Sequence, residues 1–397
     1  MLMRILIVHN FYQQSGGEDT VFRLEAAMLE RAGHDVFTYH RSNSEIFEMG
    51  MLKKLTVPAK MIWSWETAKA LRMLVEKTKP DIVHFHNTFM LISPAAYSTC
   101  QKMGIPVVQS LHNPRLLCPA SSFYRQGRLC SNCLGQFLPW PGIIHGCYRE
   151  SHLQTAMVAA MVTTHRLLQT WNTQVDRYIV FSEFYKDKFI QGGLPADKIS
   201  IKPHFVSPDP GPRDESDRGG YALFVGRLDP EKGIRTLLRA WKSLLDIPLK
   251  IRGDGQLLQE VNDHIDAGGR SVEIIERLSE KDLFKLFKGA SFLVWPSEGY
   301  YECFGLVAIQ AFSCGLPVIA SRTGVMSEIV KDRLTGLHFT AGDHGDLADK
   351  VSWAWHNRHI MAEMGRRGRI EFEERYTERK NYSELLRIYE IAMGKVI

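Results

Sequence analysis

The sequence lacks any long apolar run. None of its 397 residues belongs to a stretch approaching the roughly 20 apolar residues that a membrane-spanning helix needs. Residues 3–8 have the pattern of a buried strand, without the charged leader, long apolar core and cleavage site of a signal peptide. The seven cysteines are an odd number in a large chain, which favours reduced thiols over a disulfide framework. We therefore expect a cytoplasmic protein.

A strong excess of charge is also missing. The 49 Lys and Arg against 44 Asp and Glu give a net charge of +5, spread along the chain. This distribution does not favour nucleic acid as a partner, whereas a phosphorylated ligand or an anionic membrane surface suits it. The dinucleotide fingerprint G-x-G-x-x-G is absent after both opening strands, which disfavours an NAD-dependent dehydrogenase.

The sequence does contain alternating strand and helix patterns, and the same opening pattern of strand, loop and helix occurs at two places. Short apolar runs at residues 5–8 and 221–225 each lead into a glycine-containing loop and an amphipathic helix. Residues 207–220 between them are Pro, Gly and charge without an apolar anchor, as in a linker. Two domains are also the natural expectation at this length. The pattern predicts an α/β protein with Rossmann-like parallel-sheet domains at residues 1–206 and 221–375 and a C-terminal helix at 376–397.

The stretch at residues 294–321 has the most chemical content. It reads as strand, acidic turn, helix and strand, and the turn carries Glu298 and Glu302. Parallel α/β units bind ligands at the carboxyl ends of their strands, and amide groups at a helix N-terminus favour an anion. An acid just before that terminus suits the neutral hydroxyls of a ligand whose phosphates meet the amides. The amides expected to point outward are those of Phe304, Gly305 and Leu306.

Three further loops follow predicted strands and present polar groups. Arg227 and Lys232 flank a turn, where two cations can clamp a diphosphate and neutralise it as a leaving group; a solvated basic loop is the alternative. Gly16 and Gly17 permit close backbone approach to a phosphate or an acceptor hydroxyl, or form a tight turn only. His112 follows the predicted strand at 106–111, as a ligand-facing or a structural histidine.

Two groups of residues raise the question of a metal. A Pro- and Gly-rich insertion at 118–147 breaks the α/β rhythm, and its thiolates could hold a structural zinc that staples the insertion; free thiols are the alternative. His84 and His86 share one face of a predicted strand, but no third ligand is visible nearby, so we expect no metal there. The candidate zinc ligands are Cys118, Cys130, Cys133 and Cys147.

Residues 50–77 mix Lys and Arg with Met, Leu and two Trp. An amphipathic helix with basic and aromatic faces can lie on an anionic membrane. The alternative is a helix that faces the core and has a solvated side. The composition therefore leaves peripheral contact with the inner face of the cell membrane as a hypothesis.

Residues 226–233 (GRLDPEKG) and 296–321 (PSEGYYECFGLVAIQAFSCGLPVIAS) resemble the retaining GT-B glycosyltransferases of family four. The resemblance covers nearly the whole chain, because the Gly-Gly loop, the strand before His112 and the closing helices also fit. It implies two Rossmann-like domains facing across a cleft, with C-terminal helices packing back toward the N-terminal domain. It also implies transfer of a sugar from a nucleotide diphosphate sugar to a glycan or lipid-linked acceptor, in surface polysaccharide or glycolipid synthesis.

The resemblance assigns roles to individual residues. Arg227 and Lys232 would hold the donor diphosphate and stabilise it as it leaves. Glu302 matches the first acid of the Glu-x7-Glu motif, which grips sugar hydroxyls, and His112 matches the histidine that lines the reaction centre. These four are the predicted catalytic residues. The other predicted donor-binding residues are Gly16, Gly17, Gly253, Leu278, Cys303, Phe304, Gly305, Leu306 and Gln310.

The sequence departs from the family at the second acid of that motif, where it has Gln310. An amide oxygen can still accept hydrogen bonds from ribose hydroxyls, without the charge. Glu298 is expected to be an exposed loop acid and not a substitute. Gln310 also motivates the alternative of a nucleotide-sugar binding protein without catalysis. No Asp-x-Asp sequence occurs, which fits a fold that uses protein cations in place of a catalytic metal, so no cofactor is expected for catalysis.

Overall fold

The structure is a computed structural model that describes residues 2–13, 16–214, 219–299 and 302–395. The chain divides into two compact units. The N-terminal unit comprises Met1–Ser121, Ser131–Lys202 and Tyr382–Ile397, and the C-terminal unit comprises Ser122–Cys130 and Pro203–Asn381. Each unit contains a six-stranded sheet in which every neighbouring pair is parallel. The predicted fold class, two Rossmann-like parallel sheets, is confirmed.

The strands are short and the helices separate most of them. In chain order the strands are β1 Arg4–Phe11, β2 Asp35–Ser42, β3 Ile82–Phe85, β4 Val107–Ser110, β5 Tyr124–Arg125, β6 Arg128–Leu129, β7 Arg177–Val180, β8 Ile199–Ile201, β9 Ala222–Val225, β10 Leu249–Arg252, β11 Val272–Ile275, β12 Phe292–Trp295, β13 Val318–Ser321 and β14 Gly336–Phe339. The helices are α1 Gly17–Arg31, α2 Glu45–Glu48, α3 Met51–Lys54, α4 Val57–Ile62, α5 Trp65–Thr78, α6 Ala95–Lys102, α7 Trp140–Ile144, α8 His152–Leu167, α9 Thr170–Thr173, α10 Glu183–Gln191, α11 Ile234–Trp241, α12 Leu258–Asp266, α13 Glu280–Gly289, α14 Leu306–Ser313, α15 Gly324–Ile329, α16 His344–His356, α17 Arg358–Arg375 and α18 Glu378–Ala392.

The N-terminal sheet has the order β2-β1-β3-β4-β7-β8. Its central strands are apolar on both faces, with residues 5–8 of β1 fully buried, as expected for a parallel sheet covered on both sides. The order reverses between β1 and β3, and in such sheets ligands bind at the carboxyl ends of the strands beside that reversal. Residues 382–392 of helix α18 belong to this unit, and the hydroxyl of Tyr389 lies 2.8 Å from Nδ1 of His84 on β3. The expected return of the chain's last helix to the N-terminal sheet is thus present.

The C-terminal sheet has the order β11-β10-β9-β12-β13-β14. One apolar core joins β9, β10 and β12 to the helices α11, α16 and α17, with Leu237, Trp241 and Ile251 among its buried members. Here the order reverses between β9 and β12. The loops that follow these two strands are those that carry Arg227 and Lys232 on one side and Glu298 and Glu302 on the other, so topology alone places the predicted motifs side by side.

Residues 50–77 do not form the single amphipathic helix that the sequence suggested. They form α3, α4 and α5, because Pro58 stands in the first turn of α4 and Ser64 caps α5 by accepting a hydrogen bond from the Thr67 amide at 3.3 Å. Within the described ranges, no helix is both long enough and apolar enough to cross a membrane.

Candidate functional site

The two motifs of the C-terminal unit pack directly against each other. Gly233 has φ +74°, and a Cβ at this position would overlap the carbonyl oxygen of Pro296, so only glycine permits this approach. The amide of Glu298 donates to the carbonyl of Glu231 at 2.9 Å. The backbone of the GRLDPEKG loop is therefore fixed against the first residues of the acidic turn.

Each predicted cation of this site is paired with an acid of the same unit. Nη1 of Arg227 lies 2.8 Å from Oδ2 of Asp229, and Nη2 lies 3.5 Å from Oε1 of Glu231. Nζ of Lys232 donates to the carboxylate of Glu302, and both of these side chains are largely buried. Burial raises the pKa of Glu231, and the charge of Asp229 adds to the effect. The sequence identified the cations but missed their partners, although two of those acids stand two and four positions after Arg227.

Helix α14 begins at a left-handed glycine. Gly305 has φ +92°, and a Cβ here would overlap the indole of Trp295. The preceding residues Cys303 and Phe304 are buried, and the Phe304 ring lies 5.1 Å from that of His204. The first amide groups of α14, beginning at Leu306, have no intrahelical acceptors and lie directly after the turn that carries Glu302. This is the arrangement that suits an anionic group beside hydroxyls.

Glu298 is not the exposed loop acid that the sequence predicted. It is partly buried, and its Oε1 accepts from the Thr236 hydroxyl at 2.6 Å while its Oε2 accepts from the Tyr124 hydroxyl at 3.3 Å. Burial and the charge of Glu298 raise the pKa of Tyr124 to about 12. Glu298 therefore joins α11 to the β5–β6 hairpin, which is why its carboxylate is held in place.

The remaining predicted donor-binding residues of this unit lie on neighbouring elements. Gly253 follows β10, and Leu278 follows the edge strand β11. Gln310 is partly buried in α14, where its backbone carbonyl accepts from the Ser313 hydroxyl at 2.7 Å. Their roles in donor binding stay predictions.

In the N-terminal unit, Gly16 and Gly17 form the start of α1. The Gly16 amide donates to Oδ2 of Asp19 at 3.1 Å, and Oδ1 of Asp19 lies 2.7 Å from Nε2 of His9. Both His9 and Asp19 are buried, and burial lowers the pKa of His9. Among the described residues other than its chain neighbours, none comes within 4 Å of a Cβ placed on Gly16, so their packing does not require glycine there.

Glu18 is a candidate functional residue that the sequence reasoning missed. Its Oε1 accepts from Nδ2 of Asn87 at 3.1 Å, and its Oε2 accepts from Nδ2 of Asn113 at 3.3 Å. Burial raises the pKa of Glu18 to about 8, and the charge of Asp19 contributes. Glu18 is only partly buried, and both of its oxygens accept hydrogen bonds in the structure. The available signal was an acid placed directly after the Gly-Gly pair.

His112 lies in a buried polar network. Its Nε2 is 3.0 Å from Nδ1 of His86, and the two rings stack with centroids 5.1 Å apart. Glu25 contacts this network from α1: its Oε2 is 3.5 Å from Nε2 of His86, while its Oε1 accepts from Nζ of Lys202 at 2.5 Å. Neither Glu25 nor Lys202 was predicted, because nothing in their local sequence distinguishes them from ordinary helix and strand residues.

A cavity in the N-terminal unit lies beside His112. Arg115 lies on its wall with its guanidinium 3.8 Å above the ring of Phe89. The lining combines polar groups with a large apolar surface. It consists of Met61, His86, Asn87, Thr88, Phe89, Pro94, Tyr97, Gln109, Ser110, Leu111, His112, Asn113, Arg115, Leu116, Met161 and Trp171.

The candidate zinc site is not supported. Among the described residues, the one group of three or more ligand-type side chains close enough to share an ion is Glu25, His84 and His86. The insertion at 118–147 is held by other means, namely the β5–β6 hairpin, the short α7 packed on α8, and backbone bonds such as Cys130 N to Phe123 O at 2.8 Å. The four candidate ligands Cys118, Cys130, Cys133 and Cys147 do not belong to the group. The expectation that His84 and His86 have no third ligand nearby is also wrong, because Glu25 reaches them from α1.

Comparison with known proteins gives two consecutive family matches. Residues 15–210 match the model of Glycosyltransferase Family 4, and residues 210–371 match that of Glycosyl transferases group 1. An uncharacterized glycosyltransferase of Methanocaldococcus jannaschii, MJ1607, is 25% identical over 91% of this chain and 88% of its own length. A second from that organism, MJ1178, is 32% identical over 43% of this chain and 48% of its own length, so the chain spans about half of that relative.

A solved structure with the same fold is that of Anabaena Alr3699/HepE in complex with UDP and glucose. It superposes with a TM-score of 0.67 over 97% of this chain and 98% of its own, at 17% sequence identity. At this level of identity the likeness concerns the fold.

Proposed function

The chain belongs to the group 1 glycosyltransferases with the GT-B fold, and from that premise we propose that it transfers a sugar, with retention, from a nucleotide diphosphate sugar to a glycan or lipid-linked acceptor. The observation that carries the proposal is the packing of the Arg227–Lys232 loop against the Glu302 turn at the reversal of the C-terminal sheet. Two cations, a sugar-type acid and a helix N-terminus converge there on the edge of one sheet.

In this proposal the C-terminal unit binds the donor. Arg227 and Lys232 exchange their internal acids for the diphosphate and neutralise it as it departs. A well-placed hydrogen-bond donor of this kind lowers the activation barrier by roughly 3 to 4 kcal/mol. Glu302, released from Lys232, accepts hydrogen bonds from the sugar hydroxyls. The complex of the Anabaena relative with UDP and glucose supports a uridine diphosphate sugar as the first donor to test.

The N-terminal unit provides the acceptor side. The cavity beside His112 has polar groups for hydroxyls and apolar walls from Met61, Phe89 and Trp171, which suits an acceptor that has both a sugar and an apolar part. Glu18, held between two asparagines, offers a carboxyl group at the adjoining strand ends. A lipid-linked intermediate of surface polysaccharide or glycolipid synthesis has this combination.

Peripheral contact with an anionic membrane is part of the proposal. Residues 51–56 are all exposed, and Met51, Leu52 and Leu55 have exposed fractions of 84, 82 and 74% beside Lys53 and Lys54. Apolar side chains flanked by lysines favour the interface of an anionic bilayer. This surface supports the proposed contact with the cytoplasmic face of the cell membrane.

Cosedimentation with vesicles tests the membrane contact. We expect binding to vesicles with anionic lipid, weakening as salt rises, and loss of binding in a Leu52→Asp/Leu55→Asp variant. The matched control is Leu245→Asp, at another strongly exposed leucine (66%) that lies in the C-terminal unit. Equal binding by both variants would contradict the assignment of the surface.

The transfer reaction is tested by release of nucleotide diphosphate from a panel of nucleotide sugars, with and without acceptor extracts. Arg227→Ala should lower turnover by about 10²- to 10³-fold, while the protein stays folded. Arg235→Ala is the matched control, because this arginine is also half-exposed and paired with an acid, Glu260, at 2.6 Å. Near-normal turnover of the Arg227 variant would overturn the role of the clamp.

The alternative is a nucleotide-sugar binding protein without catalysis, and Gln310 in place of an acid is the observation that favours it. Such a protein would gain thermal stability from a nucleotide sugar, since a ligand of the folded state stabilises it, but would release no nucleotide diphosphate. The two measurements together therefore separate the functions.

A further inference from the structure

We propose that Glu25 and His86 are positioning residues that fix the tautomer of neutral His112, with its proton on Nε2 and a hydrogen-bond acceptor at Nδ1. The proposal concerns a chain of contacts within the N-terminal unit. Its consequence for the sugar, drawn last, rests on the proposed function.

The chain of contacts starts at a buried ion pair. Nζ of Lys202 lies 2.5 Å from Oε1 of Glu25, and both side chains are fully buried. An ammonium group only donates hydrogen bonds, so Oε1 is an acceptor and the pair is held as carboxylate and ammonium. The second carboxylate oxygen, Oε2, is then also an acceptor only.

The contact with Glu25 determines which ring nitrogen of His86 carries the proton. Oε2 of Glu25 and Nε2 of His86 are both buried without a hydrogen-bond partner in the described part of the chain, and they face each other at 3.5 Å. Since leaving such atoms unpaired is costly, the favourable arrangement is a proton on Nε2 of His86, directed at the carboxylate. Burial and the neighbouring histidines lower the pKa of His86 well below its usual value, which keeps the ring neutral. A neutral ring with its proton on Nε2 has an unprotonated Nδ1.

The contact between His86 and His112 then determines which nitrogen of His112 carries the proton. Nδ1 of His86 lies 3.0 Å from Nε2 of His112. Because that Nδ1 can only accept, Nε2 of His112 must donate, and neutral His112 is left with a lone pair on Nδ1. Glu25 thus determines the tautomer of a residue that it does not touch.

The same cluster does not fit a metal site, although Glu25, His84 and His86 are close enough to share an ion. The ammonium of Lys202 already neutralises Glu25. Both nitrogens of His84 are used in hydrogen bonds, Nδ1 with the Tyr389 hydroxyl and Nε2 with the Ser110 hydroxyl, each at 2.8 Å. An ion at this position would have to displace the partners of both Glu25 and His84.

The consequence for catalysis follows from the atom that is presented. If His112 lines the reaction centre, its Nδ1 can accept a hydrogen bond from a sugar hydroxyl but cannot donate one. The network would then select for a hydroxyl in the position that faces His112, as opposed to a group that can only accept hydrogen bonds.

The test is long-range ¹H–¹⁵N correlation spectroscopy of protein labelled at histidine, with His112 and His86 assigned from single variants. We expect both rings in the Nε2-protonated form. In Glu25→Gln the amide oxygen must face the Lys202 ammonium, which turns the amide NH₂ toward His86. His86 then accepts at Nε2 and is protonated at Nδ1, so both rings should switch to the Nδ1-protonated form.

A second variant keeps the test valid if Glu25→Gln does not fold. Glu25→Leu/Lys202→Met removes both charges together, which buried ion pairs often tolerate, and should give His112 as a mixture of tautomers. Ser110→Ala is the matched control: it removes a partner of His84 in the same cluster and should leave the His112 tautomer unchanged.

Three results would overturn the proposal. They are an Nδ1-protonated His112 in the unaltered protein, an unchanged Nε2-protonated His112 in the folded double variant, and a stoichiometric metal that the unaltered protein holds and Glu25→Gln loses. Since none of these requires turnover, failure of the proposed transferase activity would leave the result on the tautomer standing, and the reverse also holds.

Discussion

Two ion pairs, one from each unit, place charge in opposite ways. In the C-terminal unit, Arg227 is 42% exposed and its acids stand within four residues of it in the sequence. In the N-terminal unit, Lys202 and Glu25 are fully buried and 177 residues apart. An exposed pair contributes little to stability and can exchange its partner for a ligand, whereas a buried pair is costly to break. The first arrangement suits binding, and the second suits holding a side chain in one state.

The strongest test of this comparison is to remove one cation from each unit and to measure the loss of stability. Lys202→Met leaves Glu25 as an uncompensated buried charge and should lower the free energy of unfolding by about 3 to 5 kcal/mol. Arg227→Ala should lower it by less than about 1 kcal/mol. Urea denaturation measures both, and Glu25→Leu/Lys202→Met should recover most of the loss. Similar small losses for both single variants would show that burial does not distinguish the two pairs.

The second comparison concerns glycine. Gly233→Ala forces a side chain into a left-handed conformation and against the Pro296 carbonyl, so we expect a loss of about 2 to 4 kcal/mol. Gly16 has extended backbone and open space, so Gly16→Ala should change stability by no more than about 0.5 kcal/mol. Thermal unfolding checks both. A large loss for Gly16→Ala would mean that its role is structural.

The third prediction uses pH. The pKa of Glu18 is raised from 4.5 to about 8 in the folded protein by burial and by Asp19, so the folded state keeps a proton that the unfolded state loses. The stabilisation from this proton is complete below pH about 4.5 and is lost as pH rises to about 8. The melting temperature of the unaltered protein should therefore fall, relative to Glu18→Gln, between these values. A constant difference would place Glu18 at its ordinary pKa.

The smallest effect is expected at Gln310. Gln310→Glu restores the acid of the family motif, and a hydrogen bond to a charged group exceeds a neutral one by about 1 kcal/mol. The dissociation constant of a nucleotide sugar should fall about fivefold, as measured by calorimetry. Gln310→Ala is the control and should weaken binding. If neither variant changes the affinity, residue 310 does not contact the donor.

The sequence predicted most of the fold because strands buried in parallel sheets are largely apolar. The apolar runs predicted to open the two domains, at residues 5–8 and 221–225, overlap β1 and β9. The sequence was less informative at residues 50–77, where Pro58 and Ser64 interrupt an otherwise helical pattern. Zinc binding by the cysteine-containing insertion is not supported, because its thiols belong to no metal-ligand group among the described residues.

In the candidate site, residues of contiguous motifs could be predicted, whereas residues that meet only through the fold could not. Arg227, Lys232 and Glu302 could be predicted because the motifs that contain them are contiguous and the sheet reversal brings those motifs together. Glu25 and Lys202 could not, since an ordinary glutamate on α1 and a lysine after β8 become partners only through the fold. Glu298 was misjudged for the same reason, because Tyr124 reaches it from 174 residues away.

The contact of His84 with Tyr389 joins residues 305 positions apart. Synthesis proceeds from the N-terminus, so a ribosome must make the whole C-terminal unit before Tyr389 emerges. For almost the full duration of translation, His84 of the N-terminal sheet therefore lacks its partner Tyr389. The unit that begins first is therefore completed last.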